Sequence, residues 1–267
     1  MSDSSVRRVN VRGGHLPAWV QTGRSPTLLF IHYWGGSHRT FNPVVAHLSC
    51  ECSVVTYDQR GWGAGRDLPG PYGISQLADD ALTIVRELGV ESFVLIGHSM
   101  GGKVAQLAAS QRPVGLRGLV LIAPAPPRPT VDAKDADRRS HAYDNRTAVS
   151  DALERALTYR PLHADLREQV LADSLAAGRE ATLAWPLQGM REVITDAVQQ
   201  IDVPVQILAG QHDLVDSPDA LTANLLPFIP SARMAIIEGT GHLSPLEVPE
   251  QIASKIDCFI ASLEPSE

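Results

Sequence analysis

Ser99 sits in Gly97-His98-Ser99-Met100-Gly101, and the hydrophobic period changes on either side of it. Phe93 to Ile96 is a short apolar run suited to a strand covered on both faces, whereas Val104, Leu107 and Ala108 recur at helical spacing. A serine in such a strand-to-helix turn projects its hydroxyl, and a glycine two residues away on each side lets strand and helix approach closely. The helix start also points unpaired N–H groups and the positive end of its dipole at any oxyanion formed there. The chemistry this suggests is nucleophilic attack on a carbonyl.

A serine hydroxyl is a weak nucleophile at neutral pH and needs a base within hydrogen-bond reach, itself oriented by a carboxylate. Of the nine histidines, His242 stands out because Gly239-Thr240-Gly241-His242 directly follows the last predicted strand, Arg233 to Ile237. Asp213 ends Gly210-Gln211-His212-Asp213 after the strand predicted over Val203 to Ala209, which places it at a strand end facing the same crevice. Asp216 lies further along that loop, and Asp219 follows Pro218 at a helix start, where capping is the simpler task. No carboxylate closely follows the strand ending at Ala123. His98 adjoins Ser99 in sequence, but its side chain is forced in another direction, so it reads as packing or turn support.

The elements that must position these residues alternate between strand and helix. A hairpin over Val6 to Val11 and Trp19 to Gln21, turned at Arg12 to Pro17, precedes a strand over Thr27 to His32. A glycine-rich loop, His32-Tyr33-Trp34-Gly35-Gly36-Ser37, leads to a helix carrying Phe41, Val44, Val45 and Leu48. Ser53 to Tyr57 is the next strand, and in the turn Asp58 to Gly65 the residues Asp58 and Arg60 read as loop ties. Ile74 through Leu88 keeps the amphipathic rhythm until Gly89 stops it. Leu116 to Ala123 continues a parallel sheet with crossover helices. Pro124-Ala-Pro-Pro-Arg-Pro then breaks the pattern and opens a helix-prone insertion, with Pro161 and Pro186 as helix breaks. The sequence predicts an α/β core over 1–124 and 201–267, with a helical cap over 125–200. A helix over Ala220 to Leu226 and a closing helix from Ile252 to Leu263 complete the core.

Composition excludes several function classes. With 44% hydrophobic and 20% charged residues, the 267-residue chain has ordinary globular composition. The net charge is −7 and the basic residues do not cluster, which argues against a nucleic-acid partner or an anionic membrane surface. Met1 to Gly14 lacks the apolar core of a signal peptide and no run reaches membrane-span length, so the expectation is a cytoplasmic protein, monomer or homodimer, without membrane association. Cys50, Cys52 and Cys258 are an odd count, expected as reduced thiols, and no ligand spacing calls for a metal or other cofactor.

These features together resemble the α/β-hydrolase fold over essentially the whole chain. The elbow around Ser99, the order Ser99, Asp213, His242 and the Asp-Gln-Arg-Gly-Trp-Gly turn carry the resemblance. The resemblance implies a mostly parallel central sheet with flanking helices, and an oxyanion hole made by the backbone N–H groups of Trp34 and Met100. The family's usual His-Gly-x is His32-Tyr33-Trp34 here, a side chain in the glycine position. His32, Tyr33, Trp62 and Trp185, beside Trp34, are the expected walls of the substrate pocket. A serine at position 99, rather than an aspartate, argues against epoxide hydrolase or haloalkane dehalogenase chemistry. What the resemblance implies is hydrolysis of an ester, lactone or thioester of a small molecule. Carbon-carbon bond hydrolysis, a perhydrolase activity like that of the cofactor-free haloperoxidases, and a small-molecule receptor role are the alternatives.

Overall fold

Strands covered on both faces need apolar side chains at successive positions, and the central strands of this chain have them. The computed structural model describes residues 4–263, so residues 1–3 and 264–267 of the expected core lie outside the described residues. The strands are β1 (Ser4–Val11), β2 (Gly14–Gln21), β3 (Arg24–Ile31), β4 (Cys52–Tyr57), β5 (Phe93–His98), β6 (Leu116–Ile122), β7 (Val205–Gly210) and β8 (Ala232–Ile237). They form one sheet in the order β1-β2-β4-β3-β5-β6-β7-β8. β2 runs antiparallel to β1 and β4, and every other pairing is parallel.

The helices preceding the elbow strand and following it are α1 (Asn42–Val45), α2 (Ile74–Glu87) and α3 (Met100–Ser110). Between β6 and β7 come α4 (Ala133–Ser140), α5 (Arg146–Ala152), α6 (Ala164–Leu175), α7 (Arg179–Leu187) and α8 (Thr195–Val198). The remainder are α9 (Pro218–Asn224), α10 (Ser244–Glu247) and α11 (Pro249–Ser262). Pleating sends alternate side chains to opposite layers. Leu28, Phe30, Val94 and Ile96 pack with Phe41 and with Ile252 and Ile256 of α11. Leu29, Ile31 and Leu95 pack with Leu77 and Ala81 of α2 and with Val104 and Ala108 of α3. The sheet is thus the middle layer, and the strand order reverses between β3 and β5, where ligand crevices of open parallel sheets open.

Several local expectations are corrected. The hairpin turn is only Arg12-Gly13, because β2 already begins at Gly14 and pairs with β1 up to Val11. The helix expected around Phe41 to Leu48 is a 3-10 turn over His38–Phe41 followed by the single turn of α1. Pro186 does not break α7 but lies in its last turn, one residue before the end. Asp219 does not cap α9: the Ser217 hydroxyl accepts from the Ala220 N–H at 3.2 Å. The Asp58 to Gly65 turn is tied as expected. Asp58 accepts from the His38 N–H at 2.7 Å and the Ala64 N–H at 2.8 Å, and Arg60 makes a buried two-pronged ion pair with Asp80 at 2.7 and 2.8 Å.

The segment between β6 and β7 packs onto the loops at the carboxyl ends of the strands. Tyr143 donates to the Trp34 carbonyl at 2.8 Å, Ser174 to the Gly35 carbonyl at 3.1 Å, and the Gly178 N–H to the Gly61 carbonyl at 2.8 Å. Among the described residues no helix is long and apolar enough to cross a membrane.

Two glycines with different reasons to be glycine test this account. A Cβ on Gly101 would run into the carbonyl oxygens of Ile31 and His32, whereas one on Gly89, at φ +67° beyond α2, meets nothing within 4 Å. Gly101→Ala should therefore cost about 3 kcal/mol, a fall of roughly 6–12 °C in Tm. Gly89→Ala should cost only the left-handed backbone, about 1 kcal/mol, or roughly 2–4 °C. Equal drops in thermal melts would refute the close approach of α3 to β3.

Candidate active site

β5 ends at His98 and α3 begins at Met100, so Ser99 alone makes the turn, and its backbone takes φ 54° and ψ −115°. That left-handed φ is uncommon for a residue with a Cβ and persists only where surroundings over-determine it. Here the Ser99 N–H donates to the Ile122 carbonyl at 3.0 Å, while its own carbonyl accepts from the N–H groups of Lys103 and Ala125 at 3.1 Å each. The hydroxyl emerges at the carboxyl end of the sheet from a residue only 6% exposed.

The loops after β7 and β8 bring two further side chains to it. The Gln211 N–H donates to the Ile237 carbonyl and the His212 N–H to the Thr240 carbonyl, both at 2.9 Å, which zips these loops together. His242 Nδ1 lies 2.8 Å from Asp213 Oδ2, and its Nε2 lies 2.8 Å from Ser99 Oγ. A carboxylate can only accept, so Nδ1–H is the donor to Asp213, and Nε2 is left to accept the serine proton. Asp213 is fixed in turn, its Oδ1 accepting from the N–H groups of Val215 at 2.7 Å and Asp216 at 3.0 Å. Asp216 thus contributes its backbone to Asp213 and does not touch His242 through a hydrogen bond.

Burial by itself would push the Asp213 carboxyl up, but the charge of His242 and the hydrogen bonds from His242, Asp216 and Val215 outweigh it and hold the acid below its ordinary range. Burial would likewise depress His242, and the facing Asp213 carboxylate overrides it, raising the imidazole above the ordinary 6.5. The two shifts agree in sign, as a buried ion pair requires. Asp216 has no such partner: burial pushes it up to about 7.

Further residues hold this arrangement: the sequence marks His98 as packing or turn support but gives no role to Glu247 or Lys103. His98 is fully buried, and its Nε2 lies 2.8 Å from the backbone carbonyl of His242. Burial, and then the charge of His242, push it down to about 3, so it is a neutral donor bracing the His242 backbone. Glu247 accepts from the Gly241 N–H at 3.0 Å and from the N–H groups of Tyr159 and Arg160 at 2.9 and 2.8 Å, which ties the His242 loop to the segment after α5. Lys103, one helical turn beyond Ser99, is completely buried and donates to the carbonyls of Gly189 and Glu192 at 3.1 and 2.6 Å. Its only early sign was a lysine beside the apolar positions of α3.

A cavity of about 650 Å³ opens over Ser99 and His242, walled by Tyr33, Trp34, Tyr143, Trp185, Leu157 and Met190. Tyr33 and Trp185 thus line it. His32 and Trp62 do not, which corrects the expected pocket. His32 is locked between the loops, its Nδ1 2.8 Å from the Tyr33 carbonyl and its Nε2 accepting from the Gln59 N–H at 3.0 Å. Trp62 is 1% exposed within the core layer beside α2. Met100 is the first residue of α3, so its N–H is one of the helix's unpaired donors. Trp34 is pinned through its indole N–H, which donates to the Thr182 carbonyl at 3.0 Å, and through its stacking on Tyr143 at 4.0 Å between ring centres. The side chain at Tyr33 is accommodated because the left-handed turn of this loop falls at Gly35, φ +90°, where a Cβ would strike the Tyr143 ring.

A larger groove of about 1100 Å³, bordered by Arg7, Arg8, Ser25, Ser53 and Ser92, lies where the parallel strands begin and contains no such serine–histidine pair. Among the described residues no cluster of three or more histidine, cysteine, aspartate or glutamate side chains is placed to hold a metal ion.

The electrostatic coupling can be read directly by NMR. The His242 imidazole should titrate with its midpoint above 6.5 in the native protein. Asp213→Asn should lower that midpoint, because burial then acts unopposed, and Asp216→Asn should lower it less. A larger fall in the Asp216 variant would move the orienting acid to that position.

Over most of its length the chain is similar to proteins that bear hydrolase names. The chain is 28% identical to the 2-(acetamidomethylene)succinate hydrolase of Mesorhizobium japonicum, with 90% of each chain covered. It is 26% identical to the provisionally named carbamate hydrolase RutD of Rhizobium rhizogenes, over 88% of this chain and 92% of that one. Among solved structures, a thermophilic esterase from Thermogutta terrifontis superposes with a TM-score of 0.81 at 25% identity, covering 97% of this chain and 98% of its own. The model of the alpha/beta hydrolase family matches residues 28–255, from β3 into α11, and the chain belongs to that family.

Proposed function

We propose that this protein is a serine hydrolase that cleaves a carboxylic ester of a small molecule through an acyl-enzyme. The observation that carries the reading is the hydrogen-bonded series Ser99, His242, Asp213, with its serine held in a strained turn at the floor of a cavity. Ser99 Oγ attacks the substrate carbonyl carbon as His242 Nε2 takes the hydroxyl proton, and Asp213 stabilises the imidazolium that forms. The N–H groups of Met100 and Trp34 receive the negative charge that develops on the carbonyl oxygen. Collapse expels the alcohol, which leaves with the proton from His242. Water, deprotonated by His242 in the same way, then attacks the acyl carbon and releases the carboxylic acid and Ser99. No other group enters these steps. Residues 125–200 act as the cap that sets substrate shape, since Tyr143, Leu157, Trp185 and Met190 all come from it.

A second reading rests on the Mesorhizobium relative, whose named substrate contains an acetamido group. The same series of residues serves an amide, with His242 protonating a leaving nitrogen instead of an oxygen. A substrate panel of matched esters, thioesters, lactones and amides distinguishes the readings by kcat/KM, and a receptor would show at most one turnover per chain.

Ser99→Ala should lose about six orders of magnitude in turnover and all labelling by an organophosphate, with an unchanged melting curve. A variant retaining a tenth of the native rate would remove Ser99 from the mechanism. The rate should also depend on pH through His242. Only the neutral imidazole accepts a proton, so kcat/KM should rise with pH through a midpoint above 6.5 and be lost below it. Asp213→Asn should cost about 10⁴ in turnover, whereas Asp216→Asn should retain most of it. The reverse ranking of the two variants would contradict the assigned roles.

A further inference from the structure

We propose that the substrate carries a carboxylate a few bonds from its scissile carbonyl, and that Arg139 binds it. This deepens the preceding reading and rests on Ser99 being the nucleophile. Besides His242, four basic side chains line the cavity over Ser99, and three of them pair with acids of their own helix or turn. Arg138 pairs with Asp135 at 2.7 Å, His141 with Asp144 at 2.7 Å, and Arg155 with Asp151 at 3.9 Å. Arg139, in the last turn of α4, is half-buried and has no side-chain hydrogen bond or ion pair among the described residues.

Arg139 also borders the narrower recess that leads from Ser99 past Trp185 and Met190 to Asp216. Its charge acts on both His242 and Asp216, which places the guanidinium within electrostatic reach of the reacting groups. A guanidinium drawn partly out of water over aromatic walls lacks compensation unless a ligand supplies it. Its planar fork matches a carboxylate through two parallel N–H donors. A single such fork suits a carboxylate monoanion, whereas a phosphate dianion would call for more donors than this recess holds. Asp216, the one acid bordering the recess, is pushed up to about 7 by burial and so does not hold a full charge against the incoming anion near neutrality.

Two matched pairs of esters test the assignment, one with the carboxylate in the acyl half and one with it in the leaving half. They are ethyl hydrogen glutarate against ethyl pentanoate, and 4-acetoxybenzoate against 4-tolyl acetate. In at least one pair the acid-bearing ester should have the higher kcat/KM by tenfold or more, through a lower KM. Arg139→Gln should bring that ratio down tenfold, and Arg138→Gln should leave it in place. Equal rates within both pairs, or a preference that survives Arg139→Gln, would overturn the proposal. If no ester is turned over, calorimetry of glutarate with the Ser99→Ala protein decides separately. Binding weakened tenfold by adding Arg139→Gln would uphold the recess while the ester reading fails, and glutarate binding indifferent to Arg139 would reject the recess as well.

Discussion

The contact of the Gly101 backbone with the Ile31 and His32 carbonyls sets the geometry on which everything else depends. It lets α3 start flush against the end of β3, so the chain must reverse within one residue, and that residue is Ser99 at φ 54°. The strain is sustained by three backbone hydrogen bonds to β6, to α3 and to the segment after β6. A serine elsewhere on this sheet would lie along a strand or inside a helix, with its hydroxyl in the core or competing for a backbone carbonyl. At this turn the hydroxyl faces outward while the backbone around it stays buried, which combines exposure of one atom with rigidity of its support.

His242 and Asp213 approach from the opposite direction and depend on a second constraint, the pairing of two loops that are distant in sequence. Hydrogen bonds from Gln211 and His212 to Ile237 and Thr240 make the β7 and β8 loops one unit. Within it Asp213 has both oxygens occupied, one by His242 and one by two backbone N–H groups. Satisfied on all sides, the carboxylate stays charged despite burial, and its charge keeps the imidazole basic. His98 adds a third support from β5, so the histidine beside Ser99 steadies His242 through its carbonyl and does not compete with it for the Ser99 hydroxyl.

The chain between β6 and β7 is joined to this frame at nearly every loop that matters to the site. Tyr143, Ser174 and Thr182 hold the Trp34-Gly35 turn, Glu247 holds the chain at Tyr159 and Arg160, and Lys103 holds the turn around Gly189. The bonds from Ser174, Glu247 and Lys103 come from side chains outside the wall and end on backbone atoms, so they survive substitutions in the wall, whereas those of Tyr143 and Trp34 are made by wall side chains themselves. The relatives carry several different named activities, as expected of a fold that hosts many chemistries.

Much of the frame was readable from local pattern, for a physical reason. A doubly covered strand, a Gly-x-Ser-x-Gly turn and an amphipathic helix each leave their period in a short window, so the elbow, the central strands and the loops bearing Asp213 and His242 could be located from residues close in the chain, whereas the order of the strands in the sheet could not. Short elements were the exception: the stretch after Phe41 carries helical spacing, yet Pro43 and the crowded strand end limit it to one turn. The pocket was legible only in part. The resemblance puts Trp62 and His32 in the wall, but which way a loop side chain turns is decided by partners far away, the core beside α2 for one and Gln59 for the other. Arg139 had no distinguishing mark in a stretch of alternating charge. That it has no hydrogen-bonded or ion-paired acid among the described residues, whereas Arg138 beside it pairs with Asp135, emerges only once α4 is laid across the opening of the sheet, because pairing of charges is a property of distances that the order of residues does not contain.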